Sequence, residues 1–166
     1  MSLYRLKQFM WAITAPLKKV DQNMLRIYLN EEELNLFRKL KISEQQHCIR
    51  VCKDALIESD YWNSIDKNKM AKVALLHDIG KIERKLSVID KSIIVILDKI
   101  TNGKLKKYSS LKKIDVYYNH PQKSSNILRS ISIYDYELLE AIEKHHNKEC
   151  SDNCYLEIIK KCDNNN

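Results

Sequence analysis

Residues 75–81 read LLHDIGK, and no other stretch says as much about the fold and the chemistry of the chain. The doublet His77-Asp78 closes an apolar run, and Gly80 and Lys81 follow directly. An imidazole beside a carboxylate offers two metal ligands, and the apolar residues before them would fix the pair in a water-poor wall. The stretch therefore predicts a metal-binding position at the end of a buried helix, where an ion could bind phosphate and activate water.

The other four histidines of the chain stand where a helical metal site could use them. Together with one carboxylate near the end of the sequence, they are His47, His120, His145, His146 and Asp163. A single buried histidine is more often a hydrogen-bonded core residue than a ligand, but this set includes every remaining histidine. Residues 45–56 and 156–163 have the apolar spacing of amphipathic helices, so these ligands would project from separate helices into a shared centre.

The order of these residues resembles the HD superfamily of metal-dependent phosphohydrolases, and more closely its HDIG subgroup. The resemblance covers roughly residues 30–166, and its pattern H…HD…D is met by His47, His77, Asp78 and Asp163. His120-Pro121 with Ile127-Leu128 looks like the family's HP…IL segment, and residues 142–146, IEKHH, look like its I..HH segment. The chain departs from the family at Cys162, where an alanine usually precedes the last aspartate.

The resemblance implies an all-α fold, an HD-domain helical bundle with a metal site between helices. It assigns a first ion to His47, His77, Asp78 and Asp163. It assigns a second ion, with Asp78 bridging, to Asp78, His120, His145 and His146. Two such ions about 3.5–4 Å apart can activate a shared water for attack on phosphorus. These ligands suit iron, manganese, cobalt, nickel or zinc better than calcium, and the sequence leaves open which metal binds and whether one or two ions do.

Asp78 and Lys81 are the predicted catalytic residues, and phosphate binding is predicted for Lys81, Arg50 and Arg129. Lys81 could hold a phosphate oxygen as a point charge, or it could lie exposed and bond the carbonyls that end a helix. Arg50 could bind phosphate or pair with a nearby carboxylate on its own helix. One of the tandem histidines could donate a proton to the leaving oxygen instead of binding metal.

Composition favours a helical protein of one domain. The chain has 166 residues, of which 44% are hydrophobic, and its two glycines and two prolines disfavour a turn-rich β architecture. We predict an N-terminal helical extension over residues 1–29, packed on an HD/HDIG domain over residues 30–166. No stretch reaches about 18 uninterrupted apolar residues, so no transmembrane segment is predicted.

The net charge of +7 comes from an excess of lysine. The densest cluster lies in residues 104–113 and lacks the aromatic interleaving that stacks single-stranded bases. We therefore interpret the positive field as steering a phosphorylated small-molecule substrate, such as a nucleotide, and disfavour nucleic acid as a partner.

The five cysteines argue against a disulfide framework, because their number is odd. Free thiols are typical of a reducing compartment, so we predict a cytoplasmic protein. Cys48 and Cys52 are interpreted as small apolar residues that pack beside His47. Cys150 and Cys154 lie in a polar loop, where metal binding or oxidation stays open.

Local signals divide the chain into short helices. We predict them over residues 3–14, 17–28, 70–76, 93–100, 112–119, 121–130, 136–145 and 155–162. Asn30 is a predicted N-cap before an acidic first turn, and residues 43–46 are a predicted capping box before the helix of His47. Gly80 is expected to let the chain leave the helix that precedes the doublet.

Residues 88–97, VIDKSIIVIL, suit either a buried strand or a helix. We favour a helix that is buried in the core. The alternative is a helix that presents an apolar patch to a homodimer partner or to a membrane surface.

Three functions from different classes follow. The first is a metal-dependent phosphohydrolase that cleaves a phosphomonoester or phosphodiester of a nucleotide-like substrate through activated water. The second is a non-catalytic HD domain that senses a nucleotide or a metal and signals to a partner. The third is a helical nucleic-acid-binding protein whose histidines are structural. We favour the first, because every ligand residue is present and no basic helix has arginines at base-reading spacing.

Overall fold

α-Helices form the regular structure of this chain, as its composition and the family resemblance predict. The computed structural model describes residue 14 and residues 19–166. Within those residues it has no strand, two 3₁₀ segments (Ile79–Glu83 and Lys104–Tyr108) and eight α-helices: α1 Gln22–Tyr28, α2 Glu31–Phe37, α3 Ile42–Ser59, α4 Lys67–Leu76, α5 Val88–Ile100, α6 Lys112–Ile131, α7 Tyr136–Lys144 and α8 Cys154–Asn164. In this part of the chain, no helix combines the length and the apolar character that crossing a membrane requires.

The main core lies where α3, α4, α7 and α8 pack together. Helix α3 packs along α4, α8 contacts both α3 and α7, and α6 packs on α7. Leu75 and Leu76 are fully buried and directly precede the doublet His77-Asp78. Burying side chains of this size stabilises the fold by about 2 kcal/mol each. The backbone that leads into the doublet is therefore anchored in the core.

The N-terminal part of the chain contributes one described helix to this core. Helix α1 lies within the predicted helix 17–28, and Leu25 is fully buried in the main core. The predicted helix 3–14 lies outside the described residues, except for residue 14. The division into an extension over 1–29 and a domain over 30–166 stays a prediction.

Two predicted helix starts have different outcomes. Asn30 caps α2 as predicted, because its side chain accepts a hydrogen bond from the Glu33 amide at 2.9 Å and the Glu33 carboxylate accepts one from the Asn30 amide at 2.8 Å. The predicted capping box over residues 43–46 is wrong, because α3 already begins at Ile42 without a side-chain cap. The Gln45 side chain turns inward instead and donates to two backbone carbonyls that follow α2.

Helix α6 is one continuous helix, where the sequence predicts two, over 112–119 and 121–130. Pro121 lies inside it and has no amide hydrogen for the Tyr117 carbonyl. The ring of His120 supplies the missing donor, because its Nδ1 lies 3.0 Å from that oxygen. The proline is tolerated in the helix for this reason, and the same contact fixes the direction of the His120 ring.

Gly80 does not serve as the predicted helix exit, because α4 ends earlier, at Leu76, and the backbone of Gly80 is not left-handed. It lies in the first 3₁₀ segment, pressed against α6. A Cβ atom there would lie 2.2 Å from the His120 carbonyl oxygen and 2.8 Å from the Ser124 nitrogen. Both obstructing atoms belong to the backbone, so the close approach of the doublet segment to α6 requires a glycine.

Residues 88–97 lie in α5, a helix as predicted, but the expected burial of this helix in the core is wrong. Only one side of α5 packs inward, where Ile94 joins a small apolar cluster with Leu86, Leu105 and Ile114. The opposite side is open to solvent, and Ile89 and Ile100 are each 71% exposed. The reason is its place at the edge of the bundle, where α5 packs chiefly on α6 and on the second 3₁₀ segment.

Candidate metal centre

Three helices and the segments directly after two others carry the seven predicted metal ligands. The ligands are His47 on α3, His77 and Asp78 directly after α4, His120 on α6, His145 and His146 at the end of α7, and Asp163 on α8. Their donor atoms fall into overlapping groups, and within each group the atoms lie within 4.8 Å of one another. The structure therefore brings all seven side chains together.

The first group consists of His47, His77 and Asp163, two imidazoles and a carboxylate. The Nε2 atom of His47 lies 2.9 Å from Asp163 Oδ1, and the Nε2 atom of His77 lies 3.6 Å from the same oxygen. Two atoms that each ligate one ion at about 2.1 Å lie roughly 3 Å apart. The first group thus has the spacing of ligands that share one ion.

The second group consists of His120, His145 and His146 and contains imidazoles only. The Nε2 atoms of His120 and His146 lie 3.1 Å apart, and the ring centroid of His145 lies 4.1 Å from that of His146. His120 and His145 are buried, whereas the side chain of His146 is 49% exposed. The second group therefore reaches from the interior to the edge of the centre.

Asp78 lies between the two groups, and its side chain is 1% exposed. Its Oδ1 atom lies 3.3 Å from Nε2 of His120 in the second group. Its Oδ2 atom lies 3.6 Å from Nε2 of His77 and 3.8 Å from Nε2 of His47 in the first group. Each carboxylate oxygen faces one group, which suits a ligand shared by two ions.

Three of the histidines are oriented by the same device, a hydrogen bond to the carbonyl three residues earlier. The distance from ring Nδ1 to that oxygen is 2.8 Å for His77, 2.6 Å for His145 and 3.0 Å for His120. A carbonyl only accepts, so Nδ1 carries the proton and Nε2 keeps its lone pair. These carbonyls lack the amide donor that usually bonds them in a helix. Two of them lie in the last turns of α4 and α7, and the third lacks its donor because Pro121 has no amide hydrogen.

Three buried polar atoms of the centre have no hydrogen-bond partner among the described residues: His77 Nε2, His145 Nε2 and Asp78 Oδ1. The nearest nitrogen to Asp78 Oδ1, on His120, has no proton to donate in the tautomer described above. Leaving a buried polar group unpaired costs about 1–3 kcal/mol, and folded proteins rarely do so. All three atoms are metal donors, so the residues present fit a divalent transition-metal ion.

Burial keeps the second group uncharged. It lowers the pKa of His120 below its ordinary value and that of His145 well below it. Partial burial, together with the nearby ring of His120, lowers the pKa of His146 to about 4. The three imidazoles are therefore neutral near pH ~7, the state that metal binding requires.

The Asp163 carboxylate and the shared Asp78 determine the charge of the first group. Burial lowers the pKa of His77, but Asp78 and Asp163 outweigh burial and raise it. Burial also raises the pKa of Asp163, but His47 and His77 hold it well below its ordinary value. The negative charge of these aspartates would attract a divalent cation.

Lys81 and Glu44 extend the centre toward the surface. The Nζ atom of Lys81 lies 2.5 Å from Asp78 Oδ2 and 3.7 Å from Glu44 Oε2, and its side chain is 19% exposed. The alternative interpretation, in which Lys81 is an exposed lysine that bonds the carbonyls at a helix end, is therefore excluded. Burial lowers the pKa of Lys81, but Asp78 and Glu44 outweigh burial and raise it, so this side chain stays charged.

A cavity of about 350 Å³ opens beside the second group. It is lined by Lys81, Leu86, Lys91, Val116, Tyr117, Tyr118, His120 and His146. The rings of Tyr117 and Tyr118 are perpendicular, with centroids 5.0 Å apart. An anion that enters this cavity would meet two ammonium groups and two of the predicted metal ligands.

Two predicted phosphate-binding residues do not line the cavity. Arg50 is half-buried on α3, and Arg129 lies on α6 with its Nη2 atom 3.8 Å from Glu143. Neither arginine is therefore placed to bind a phosphate group inside this cavity.

Sequence reasoning missed Glu44 and Ser124. Glu44 pairs with Lys81 and Lys91, which hold its pKa at about 2 although burial raises it. Ser124 is fully buried; its Oγ accepts from the Gly80 amide at 2.8 Å and contacts the carbonyl oxygens of the doublet segment and of α6. The available signal was helical spacing, because Glu44 precedes His47 by three residues and Ser124 follows His120 by four.

The cysteines divide between the core and the surface. Cys48 is fully buried with its sulfur within 4.8 Å of donor atoms of His77 and Asp78, and burial raises the pKa of its thiol well above the ordinary value. Cys48 packs in the main core, as predicted for it, and its sulfur also belongs to a group of donor atoms that could hold a metal ion. Cys150 is exposed and Cys154 is half-buried, and both are free thiols.

Comparison with known proteins bears on the whole centre. The family model described as HD domain matches residues 45–164, a range that contains all seven predicted ligands and well over half of the chain. No curated protein and no solved structure matched the chain. The match is to the family as a whole, so the narrower HDIG assignment stays a prediction.

Proposed function

The chain belongs to the HD-domain family, whose members are mostly metal-dependent hydrolases, and from this premise we propose that it hydrolyses a phosphate ester with one or two divalent transition-metal ions. One observation carries the proposal: metal-donor atoms from five histidines and two aspartates converge, and three of them are buried without a hydrogen-bond partner among the described residues. Structural histidines would have their nitrogens paired, so this observation disfavours a nucleic-acid-binding protein with structural histidines.

We assign the first ion to the first group and a second ion to the second group, with Asp78 shared between them. A bound ion of this kind supplies Lewis acidity toward a phosphoryl oxygen and toward water. The chain itself supplies orientation, because the Nδ1 contacts to backbone carbonyls fix three imidazole rings before any ligand arrives. Donors of imidazole and carboxylate leave iron, manganese, cobalt, nickel and zinc as candidates.

We propose Lys81 as the residue that holds a phosphate oxygen, and no longer include Arg50 or Arg129. Lys81 lines the cavity and is charged, and its ammonium group has three donors, of which Asp78 occupies one. Lys81→Ala is expected to raise KM more than it lowers kcat, because a point charge on the ground-state phosphate contributes uniform binding. Equal losses in kcat and kcat/KM would instead place the lysine on the transition state. Lys123→Ala is the matched control, since Lys123 pairs with Glu83 and Asp115 and does not line the cavity.

The cavity supports a nucleotide as the substrate. Its volume falls at the lower end of the range for small-ligand pockets, about 300–1,000 Å³. Its lining includes Lys81 and Lys91, which suit phosphate, and aromatic and aliphatic side chains, which suit a planar base. A nucleotide combines the same two features, an anionic group and an aromatic group.

The test is hydrolysis of a panel of phosphate esters by protein purified without chelator under reducing conditions. Nucleoside monophosphates, nucleoside triphosphates, cyclic dinucleotides and an aryl phosphate cover the monoester and diester alternatives. We expect release of phosphate or of a nucleotide product that chelator abolishes and added metal restores, and no turnover by His77→Ala purified in the same way. No turnover of any ester while metal is bound would favour the sensing domain, and turnover that chelator does not affect would contradict the metal-dependent reaction.

We also propose a cytoplasmic location, which the free cysteines support. All five thiols are free in the structure, as expected in a reducing compartment. Fractionation of cells that express the full chain, with thiol labelling before lysis, tests this location, and labelling from outside the cell would contradict it.

A further inference from the structure

The outer side of α5 carries an apolar stripe on which no described segment packs. The stripe consists of Ile89, Ile93, Ile96, Leu97 and Ile100, which are between 41% and 71% exposed. Their spacing of four, three, one and three residues places them along one side of a helix, and the side chain of the inward-facing Ile94 points away from the middle of that side. Soluble proteins rarely leave such a contiguous aliphatic surface in water, so the α5 stripe calls for a partner.

Lysines without carboxylate partners follow the α5 stripe along the chain. At the end of α5 and in the segment after it are Lys99, Lys104, Lys106, Lys107 and Lys112, all of them exposed. None of them forms an ion pair with any residue that the structure describes. The two carboxylates of α5 are already engaged, because Asp90 pairs with Lys113 at 2.7 Å and Asp98 accepts a hydrogen bond from Tyr118. The end of α5 and the segment after it therefore carry an excess of positive charge, with Asp98 as the one carboxylate of α5 that no described lysine neutralises.

We propose that the α5 stripe, with its lysines, docks on the surface of an anionic lipid bilayer. Isoleucine and leucine side chains gain about 25 cal/mol for each Å² that they move from water into hydrocarbon. Lysines at the same level would contact anionic headgroups, which is the pattern of helices that lie in a membrane interface. Tyr108, in the second 3₁₀ segment and 59% exposed, has the amphipathic ring that suits the headgroup boundary.

Charge argues against the two other occupants of this surface. A second copy of the chain would use the same patch on both subunits in a two-fold contact, and α5 offers the lysines of a partner little free negative charge, since Asp90 already pairs with Lys113 and Asp98 accepts from Tyr118. Nucleic acid would satisfy the lysines, but aliphatic side chains do not stack on bases, and they would remain in water. An anionic bilayer satisfies both the aliphatic and the cationic side chains. The proposal is independent of the proposed hydrolysis, because no residue of the stripe is a predicted metal ligand.

Co-sedimentation of the full chain with vesicles tests the proposal. We expect binding to vesicles of about one-third phosphatidylglycerol in phosphatidylcholine, weakening with added salt, and little binding to phosphatidylcholine alone. The variant Ile93→Ser/Ile96→Ser should lower the partition coefficient at least about tenfold, because two side chains no longer enter hydrocarbon. The variant Lys106→Gln/Lys107→Gln should lower it about fivefold per lysine.

Matched controls use equally exposed residues elsewhere. Ile57→Ser/Ile133→Ser removes two isoleucines that are 62% and 100% exposed, and Lys39→Gln/Lys148→Gln removes two exposed lysines without a described ion pair. Both controls should leave vesicle binding almost unchanged, and circular dichroism should show the same helix content in all four variants.

Four results would overturn the proposal. Three concern vesicles: equal binding to neutral and anionic vesicles, no binding to either, and binding that the stripe and lysine variants do not change. The fourth is a dimer in sedimentation velocity that Ile93→Ser/Ile96→Ser dissociates. The last result would assign the α5 stripe to a second copy. Binding of an RNA homopolymer that depends on Lys106 and Lys107, without vesicle binding, would assign the lysines to nucleic acid.

Discussion

The two histidine groups that meet at Asp78 differ in charge and in access. The first group combines imidazoles with the Asp163 carboxylate and draws them from α3, α8 and the end of α4. The second group has only neutral imidazoles, and His120 and His146 line the cavity. A carboxylate offsets the charge of a cation, so we expect the first group to hold its ion more tightly. The second group is better placed to share an ion with an incoming phosphate.

The two groups are joined at several points. His146 Nδ1 of the second group lies 3.7 Å from Asp163 Oδ2 of the first, and the ring centroids of His77 and His145 lie 4.9 Å apart. Asp78 offers one oxygen to each group, and Gly80 brings the doublet segment against the backbone of α6, where Ser124 bonds both sides. Three kinds of substitution can test how the groups depend on each other. One removes a ligand from either group, one removes the shared Asp78 carboxylate, and one forces the doublet segment away from α6.

The largest effect on metal content and activity is expected from the doublet. His77 belongs to the first group, and Asp78 is shared by both groups. His77→Ala or Asp78→Ala should remove nearly all bound metal and lower hydrolysis by more than about 100-fold, since even residues behind the ligands cost 10–100-fold when changed. The helical content measured by circular dichroism should largely persist. Elemental analysis of the purified variants is the measurement. Cys150→Ser/Cys154→Ser is the control, because it removes soft donors outside the centre, and full metal content in both doublet variants would contradict the assignment.

The second group should control one ion only. His120→Ala and His146→Ala are each expected to lower the metal content from about two to about one ion per chain and activity by about 10–100-fold. The same analysis on the unchanged protein sets the reference. A reference value of one ion, unaffected by either substitution, would reduce these histidines to positioning or substrate-binding roles and remove the distinction between the groups.

The junction between the groups can be tested with the only two glycines of the chain. Gly80→Ala should lower the free energy of unfolding by about 3 kcal/mol, because its Cβ would collide with backbone atoms of α6. Gly103→Ala should cost about 1 kcal/mol, because its Cβ meets open space and only the left-handed backbone, at φ +78°, is strained. Urea denaturation measures both values. Equal costs would show that the close approach at Gly80 is not needed.

The smallest expected effect is the pH dependence of the metal-free protein. Burial lowers the pKa of His120, His145 and His146 from the ordinary 6.5, to about 4 for His146. The unfolded chain therefore takes up protons first, and the free energy of unfolding should fall by about 1 kcal/mol or more as the pH drops from about 6.5 toward about 4.

The raised pKa of His77 has the opposite effect, because it favours the folded state as the pH falls. The three lowered pKa values of the second group are expected to outweigh this single group. Denaturation curves in chelator at several pH values across this window provide the measurement. A stability that stays constant or rises on acidification would contradict neutral imidazoles in the second group.

The convergence of the seven side chains could be predicted because their order along the chain resembles that of the family, and most of them sit in local patterns. His120 before Pro121, the tandem His145-His146 and the doublet at the end of an apolar run are all visible without a structure. The all-α class followed from the same patterns and from the scarcity of glycine and proline. These features depend on residues close together in the chain.

The features that were wrong or missed depend on contacts between distant segments. Pro121 breaks an isolated helix, and α6 continues because the ring of His120 satisfies the freed carbonyl. Gly80 looked like a helix exit, and its actual neighbours lie about 40 residues further along the chain. The exposure of α5 depends on which helices cover it, and an apolar pattern alone does not contain that information.

The claim that these side chains form a metal centre is tested most directly by the metal content of the unchanged protein. The full chain would be purified without chelator under reducing conditions and analysed for transition metals by mass spectrometry, with protein concentration determined by amino-acid analysis. We predict about two ions per chain, or one if only the first group is filled. A protein that carries no transition metal as purified, and takes up none on dialysis against manganese, iron, cobalt, nickel or zinc, would contradict the account.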